Sequence, residues 1–145
     1  MKINTKYHGD IVVNQQDIWQ FPAGVPGFLD EKQFVLYPLA NDNVFSVLQS
    51  VLHKDIAFIV TNPFLFFKDY DFILEDQIVS FLEIGNKQDV LTLVILTLGE
   101  SLESTTANLQ APVILNMKNH TAKQVILHNS PYQTKHALVV HVGQG

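Results

Sequence analysis

Cysteine is missing from all 145 residues. Its absence excludes disulfides, thiolate metal sites and a cysteine nucleophile, and is compatible with a reducing cytoplasm. Arginine is missing too, so all nine basic residues are lysines. Bidentate reading of phosphate or guanine relies on the planar guanidinium. With a formal net charge of −5, direct nucleic-acid binding is not expected, and a partner that itself carries positive charge is. Charged residues are scarce, at 16% against roughly 25% in an average globular domain. The 47% hydrophobic fraction favours a well-buried core and excludes an intrinsically disordered chain. The longest apolar runs, such as residues 90–98, fall far short of the ~20 residues that cross a bilayer. No cationic start, apolar stretch and small-residue cleavage site occur in series, so neither a membrane span nor secretion is expected. Length predicts one domain over 1–145, with the last residues, Gly143-Gln144-Gly145, frayed.

What charge there is lies unevenly. Residues 1–103 hold six of the lysines and all fourteen acids, whereas 104–145 hold three lysines, no acid, and His120, His128, His136 and His141. Such asymmetry hints at a charged docking face.

The dominant pattern is a series of short β-type runs rich in Val, Ile, Phe and Thr: 6–13, 18–21, 33–39, 44–51, 56–60, 65–68, 90–98, 112–116, 123–128 and 137–141. Breakers separate them, among them Pro22-Ala23-Gly24, Pro26-Gly27, Asn41-Asp42-Asn43, Asn62-Pro63, Gly85-Asn86 and Gly99. Ten short strands in one chain predict an all-β barrel or sandwich. Runs 56–60 and 90–98 are almost continuously apolar, which places them centrally with both faces covered. One stretch, 74–83, breaks the strand pattern. Ile78, Phe81 and Leu82 recur at helical spacing behind Glu75 and Asp76, acids that favour a helix N-terminus. Lys118-Asn119-His120-Thr121 reads as a hairpin connection.

Catalytic motifs are wanting. The sequence has no glycine-rich phosphate loop, no His-Glu-x-x-His and no Gly-x-Ser-x-Gly. His53 with Asp55, and Asp69 with Asp71, alternate as metal ligands could, but neither pair has a third ligand nearby, and a solvated loop is the simpler reading. His136 and His141 are five apart and would face opposite sides of a strand. Ser101, Ser104, Thr105 and Thr106 cluster after Gly99 without a nearby His, as a turn bonding its own backbone would. No metal and no cofactor is expected. Two aromatic-rich segments stand out instead. Residues 21–28 combine two prolines with two glycines, which predicts a rigid bent loop. Residues 62–70 place four apolar residues in a row after a proline, and these must be either core or a contact surface.

These segments carry a resemblance. Phe21-x-x-Gly24-x-Pro26-Gly27-Phe28, then Leu48-Gln49-Ser50, then Phe58-x-x-x-Asn62-Pro63 with Asp69-Tyr70, closely resemble the FliW family of flagellar assembly factors. Thr106-Ala107-Asn108-Leu109-Gln110-Ala111-Pro112-Val113-Ile114-Leu115-Asn116 and Lys123-Gln124-Val125-Ile126-Leu127 continue the match in order and spacing, so that it covers residues 3–135. The resemblance implies a small cytoplasmic β-barrel-like protein with one short helix and no enzymatic activity. It further implies two protein partners: newly made flagellin, and CsrA, an RNA-binding translational regulator. Family members free of flagellin bind CsrA away from its RNA groove and allosterically relieve its repression of flagellin mRNA; accumulated flagellin occupies them and releases CsrA. Neither nucleic acid nor membrane is implied as a direct partner.

Within that reading, the acids around the helix, Asp69, Asp71, Glu75, Asp76 and Glu83, are expected to meet CsrA, charge speeding encounter and setting orientation. Flagellin is expected in an apolar groove or on a sheet edge. Gly24, Pro26, Gly27 and Phe28, together with Asn62, Pro63, Asn108 and Pro112, are expected to shape loops and strand entries. Gly27→Val should damage folding before binding. The competing expectation is a flavin- or ligand-binding split β-barrel enzyme, whose phosphate the 101–106 hydroxyls could receive, although no lysine lies between Lys87 and Lys118 to assist them.

Overall fold

A computed structural model describes residues 1–41 and 43–138; Asp42, His141, the end of the expected 137–141 strand and the expected frayed tail lie outside them. Eleven strands occur among the described residues: β1 (Lys2–Asn4), β2 (Asp10–Val12), β3 (Trp19–Gln20), β4 (Gln33–Pro38), β5 (Phe45–Ser50), β6 (Ala57–Thr61), β7 (Val90–Thr97), β8 (Thr106–Ala107), β9 (Val113–Asn116), β10 (Thr121–Gln124) and β11 (His136–Ala137). One helix, α1 (Asp76–Phe81), lies between β6 and β7.

Seven strands close into a ring. Hydrogen bonding runs β7-β6-β5-β4-β3-β10-β9, and β9 returns to β7 through Leu93↔Val113 to Val90↔Asn116. An odd ring cannot alternate direction all the way round. Six of its seven junctions are antiparallel, and the seventh, β3 beside β10, is parallel, resting on the single pair Thr121↔Gln20. Closure pairs most of the sheet edges that would otherwise invite aggregation, the single-pair β3–β10 junction being the exception. β8 and β11 extend from the far end of β7, and β1–β2 form a separate hairpin.

Each ring strand sends alternate residues to opposite faces. Trp19, Phe34, Leu48, Val60, Leu93, Val113, Leu115 and Ala122 fill the barrel. Their neighbours Val47, Ile59, Val94 and Ile114 point outward into a second core, covered by Tyr70 and Leu82 from the β6–β7 connection and by Val125, Leu127 and Leu138 from the C-terminal segment. Val35 packs outward under the β1–β2 hairpin with Ile3, Val13 and Ile18. Burial on two sides is the reason runs 56–60 and 90–96 are almost continuously apolar, as expected, whereas Thr97 and Leu98 at the end of the second run are exposed.

Several expected elements differ. The 6–13 run is a turn and then β2, while β1 begins the chain. Run 65–68 is no strand: Pro63–Leu65 forms a 3-10 turn, with the Asn62 carboxamide accepting from the Phe64 amide at 2.9 Å. Phe64 and Leu65 are exposed, whereas Phe66 and Phe67 pack on the outer core, so the apolar run divides between surface and interior. The expected helix over 74–83 shortens to six residues. Glu83 stops it in the left-handed region, φ 54°, with the Ile84 amide donating back to the Val79 carbonyl. Strand 123–128 ends at Gln124 as a regular ladder, although Val125 and Leu127 still donate to the Pro112 and Gln110 carbonyls. Pro112 has no amide to return the bond, and the Gln110 amide donates to Gln133 instead. The expected hairpin at 118–121 joins β9 to β10.

The loop at 21–28 owes its shape to two glycines. Val25–Phe28 is a tight turn, the Phe28 amide donating to the Val25 carbonyl at 2.6 Å, with Pro26 and Gly27 central and Gly27 at φ 87°. That is the type II pattern, which needs positive φ at its third residue. Gly24, at φ 71°, brings its Cα against the Leu29 backbone, where any Cβ would sit 2.7 Å from the Leu29 carbonyl carbon.

Candidate functional site

The β6–β7 connection crosses the barrel's outer face, and four polar side chains hold it there. The Tyr70 hydroxyl, buried, donates to the Leu109 carbonyl at 2.7 Å, and burial pushes its pKa well above the ordinary tyrosine value. The Tyr132 hydroxyl accepts from the Asp71 amide at 3.0 Å. Asn116, also buried, donates to the Leu82 carbonyl at 2.8 Å and to that of Glu83 at 3.3 Å, and Asn119 donates to Leu82 at 3.1 Å. Leu82 is completely buried, so helix α1 is pinned at its C-terminal end by packing and hydrogen bonds together.

The five acids expected to bind a partner all project from this connection and all are exposed. None forms an ion pair among the described residues. Their placement differs. Asp71 and Glu75 line one groove. Asp69 lies just before it and Asp76 opens α1, whereas Glu83 sits beyond the other end of the helix, its carbonyl held by Asn116.

The groove has a volume of about 630 Å³. One wall is segment 71–75 and the other is 125–132, with Phe72, Ile73, Ile126 and Tyr132 among its apolar lining. It continues along Gln124–Ile126 to Pro26 as a second hollow of about 370 Å³ that shares Glu75, Ile126 and His128. Ile73 is 89% exposed and Ile126 48%. Both are costly to leave in water at about 25 cal/mol per Å² of apolar surface. Sequence reasoning missed Ile73, Ile126 and Tyr132. An apolar triplet, Phe72-Ile73-Leu74, among acids was a legible signal for one wall; nothing in the sequence places 125–132 opposite it.

The other candidates resolve into structure. Ser104 Oγ donates to the Ser101 carbonyl and accepts from the Ser101 amide, both at 3.1 Å, while Thr105 Oγ1 donates to the same carbonyl and accepts from the Gly99 amide. The cluster closes on its own backbone, which leaves a flavin phosphate little to bind. Asn108 Oδ1 accepts from the Gln110 and Ala111 amides at 3.1 Å, turning the chain into β9 just ahead of Pro112. No group of three or more metal-ligating side chains occurs among the described residues. His53, expected as a loop position beside Asp55, instead meets the buried carboxylate of Glu31, which also accepts from Ser50 Oγ. Ser50 Oγ in turn accepts from the Leu52 and His53 amides. The acid stands between serine and histidine, whereas a nucleophilic triad places the histidine against the serine, and the trio is a clasp on the β5–β6 turn. Gln49 completes it, accepting from the Lys6 amide at 2.9 Å and donating to the Lys54 carbonyl at 3.0 Å. His120 stacks on Trp19, ring centroids 3.9 Å apart.

No helix among the described residues is long and apolar enough to cross a membrane. Comparison with known proteins agrees with this architecture over nearly its whole length. The family model described as "FliW protein" matches residues 2–138. The chain is 51% identical over 140 residues to a protein of Bacillus pumilus named "Flagellar assembly factor FliW", covering 97% of each chain. It is 51% identical over 138 residues to the protein of that name from Bacillus subtilis, covering 95% of this chain and 96% of the relative. A solved structure titled "Crystal structure of the flagellar assembly factor FliW" superposes with a TM-score of 0.90 at 46% identity, over 98% of this chain and 99% of that one. Sequence motifs, closed barrel and near full-length similarity converge, and the chain belongs to the FliW family.

Proposed function

We propose that this chain is a non-enzymatic flagellar assembly factor, acting as a single unit over 1–145, that binds newly made flagellin and the translational regulator CsrA in the cytoplasm. In this reading it switches partners. Free of flagellin it holds CsrA away from flagellin mRNA; loaded with flagellin it lets CsrA go. It touches neither nucleic acid nor membrane. The observation that carries the reading is a surface built for protein contact: unpaired carboxylates on residues 69–83 beside an apolar groove, on a chain whose full-length relatives are named flagellar assembly factors.

In this scheme CsrA has a defined face. Asp69, Asp71, Glu75, Asp76 and Glu83 meet CsrA, an RNA-binding protein whose own surface is expected to be basic. Complementary charge there raises the association rate and suppresses wrong orientations. Gly24, Pro26, Gly27, Phe28, Asn62, Pro63, Asn108 and Pro112 act indirectly, by holding loops in place. Titration of the purified protein with its organism's CsrA, with and without flagellin, tests the switch. Tight CsrA binding abolished by flagellin is the expected result. Flagellin binding alone reduces the function to that of a chaperone for flagellin, and binding of neither partner overturns the proposal.

A further inference from the structure

The two walls of the acidic groove share an unusual property. Val125 and Leu127 donate their amides inward, to Pro112 and Gln110. Successive residues of a β-paired chain point their amides to opposite edges, so that of Ile126 faces the groove; His128 follows at the start of a turn, and neither amide has a hydrogen-bond partner among the described residues. Across the groove, residues 72–75 belong to no helix or strand and their amides are likewise unpartnered among the described residues. The barrel's closure explains the opening. β3 accompanies β10 for one residue pair only, and the chain then leaves into the loop carrying Pro26, so the edge of 124–128 stands uncovered beyond that point. Natural proteins blunt such edges with lysine, proline or a bulge. Here the exposed side chain at mid-edge is Ile126.

We infer that this groove is a β-addition site, which takes an extended peptide segment bearing alternating apolar and basic side chains. The segment pairs its backbone with the amide and carbonyl of Ile126 and with the free amide of His128, as added strands do. Its apolar residues lie on Ile73, Ile126, Phe72 and Tyr132. Its lysines or arginines face Asp71 and Glu75, with Asp69 and Asp76 beyond; these four carboxylates have no ion-pair partner among the described residues. That charge selects a cationic segment over a neutral or acidic one, and over a second copy of this net acidic chain. The inference deepens the partner-binding reading above and rests on it only in assuming that the groove face is used.

The test uses the whole protein and an acetylated heptapeptide, Lys-Val-Lys-Val-Lys-Val-Lys, as the probe. Anisotropy of the labelled peptide measures binding, and amide hydrogen exchange reads where it lies. The peptide is expected to bind and to slow exchange at Ile126 and His128 by about tenfold or more. The same peptide N-methylated at alternate residues, unable to pair, should lose binding. The Glu-Val analogue should bind at least about tenfold more weakly, and Asp71→Lys with Glu75→Lys should weaken the lysine peptide similarly. Ile126→Pro removes an amide that bonds to nothing inside the protein, so binding should fall while the melting curve holds; if this variant misfolds, the N-methylated peptide decides alone. Unchanged exchange at Ile126 and His128, equal binding of the N-methylated peptide, or concentration-dependent protection of that edge without peptide, which marks self-pairing, each overturns the inference. CsrA and flagellin titrated in parallel separate the two claims. Their binding without the peptide's refutes the slot alone, and the peptide's binding without theirs refutes the partner switch alone.

Discussion

Gly24 and Gly27 sit three residues apart in one loop, both at positive φ, yet they should respond to the same substitution very differently. At Gly27 the left-handed backbone costs an added side chain about 1–2 kcal/mol, and alanine recovers about 0.5–1 kcal/mol by restricting the unfolded chain. Nothing lies within 4 Å of a Cβ there, so Gly27→Ala should cost only about 0.5–1 kcal/mol. At Gly24 the same balance applies, but the Cβ also meets backbone, the Leu29 carbonyl oxygen and, at 2.7 Å, its carbonyl carbon and Cα. Backbone cannot rotate aside, and overpacking of this kind adds about 1–3 kcal/mol. Gly24→Ala should therefore cost about 2–4 kcal/mol, a large share of the roughly 5–15 kcal/mol that holds a domain folded. Urea unfolding followed by fluorescence of the single tryptophan, Trp19, which is buried against His120, measures both. In thermal melts that extra cost of about 1–3 kcal/mol should separate the two variants by roughly 2–12 °C, at about 2–4 °C per kcal/mol for a domain of this size. Equal losses at the two positions would refute the reasoning, because the close approach of Gly24 to Leu29 would then carry no energy. The expected damage from Gly27→Val follows from its β-branch in a left-handed position and should exceed that of Gly27→Ala.

Further outcomes follow from the same contacts. Reversing Asp71 and Glu75 to lysine together should lower CsrA affinity while leaving the melting temperature within about 2 °C, since exposed unpaired charges contribute little to stability; unaltered affinity in a binding titration sinks the assignment of these acids. Glu31→Ala strands the buried Ser50 Oγ and should cost about 1–3 kcal/mol in urea unfolding. Tyr70→Phe deletes the bond to the Leu109 carbonyl, at about 0.5–1.5 kcal/mol near neutral pH. It should also change the alkaline limb: because the folded-state pKa of Tyr70 is raised, the folded form holds its proton more tightly. That stabilisation is complete below the unfolded value of about 10 and is lost as pH rises toward the folded one. Stability measured upward from pH about 10 should then fall less steeply in Tyr70→Phe than in the parent. Leu82→Ala, at a fully buried position under α1, should cost about 2–5 kcal/mol by equilibrium unfolding.

The sequence by itself determined the character of each strand and most breakers between them. Runs 33–39, 44–51, 90–98 and 112–116 are β4, β5, β7 and β9 to within a residue or so, because a chain buried on both faces leaves an almost unbroken apolar record. It also determined the shape-setting residues, since Pro26-Gly27 can form few turns and Asn62-Pro63 starts a helical turn by local hydrogen bonding. The five acids were legible as exposed for a similar reason: few lysines lie near them in sequence to pair with. Only the tertiary structure decided the rest. Residues 65–68 have strand composition, but the chain must turn there to cross the outer face, and the two phenylalanines that reach the core outweigh local propensity. Strand 123–128 stops early because the chain opposite supplies a proline and an amide shared between Gln133 and Asn108, facts about residues outside the strand itself. The Glu31–Ser50–His53 clasp and the groove between 71–75 and 125–132 likewise join segments that sequence proximity cannot relate. Local chemistry writes strands and turns into a sequence, whereas a surface assembled from distant segments exists only once an odd-membered barrel has closed and left one edge uncovered.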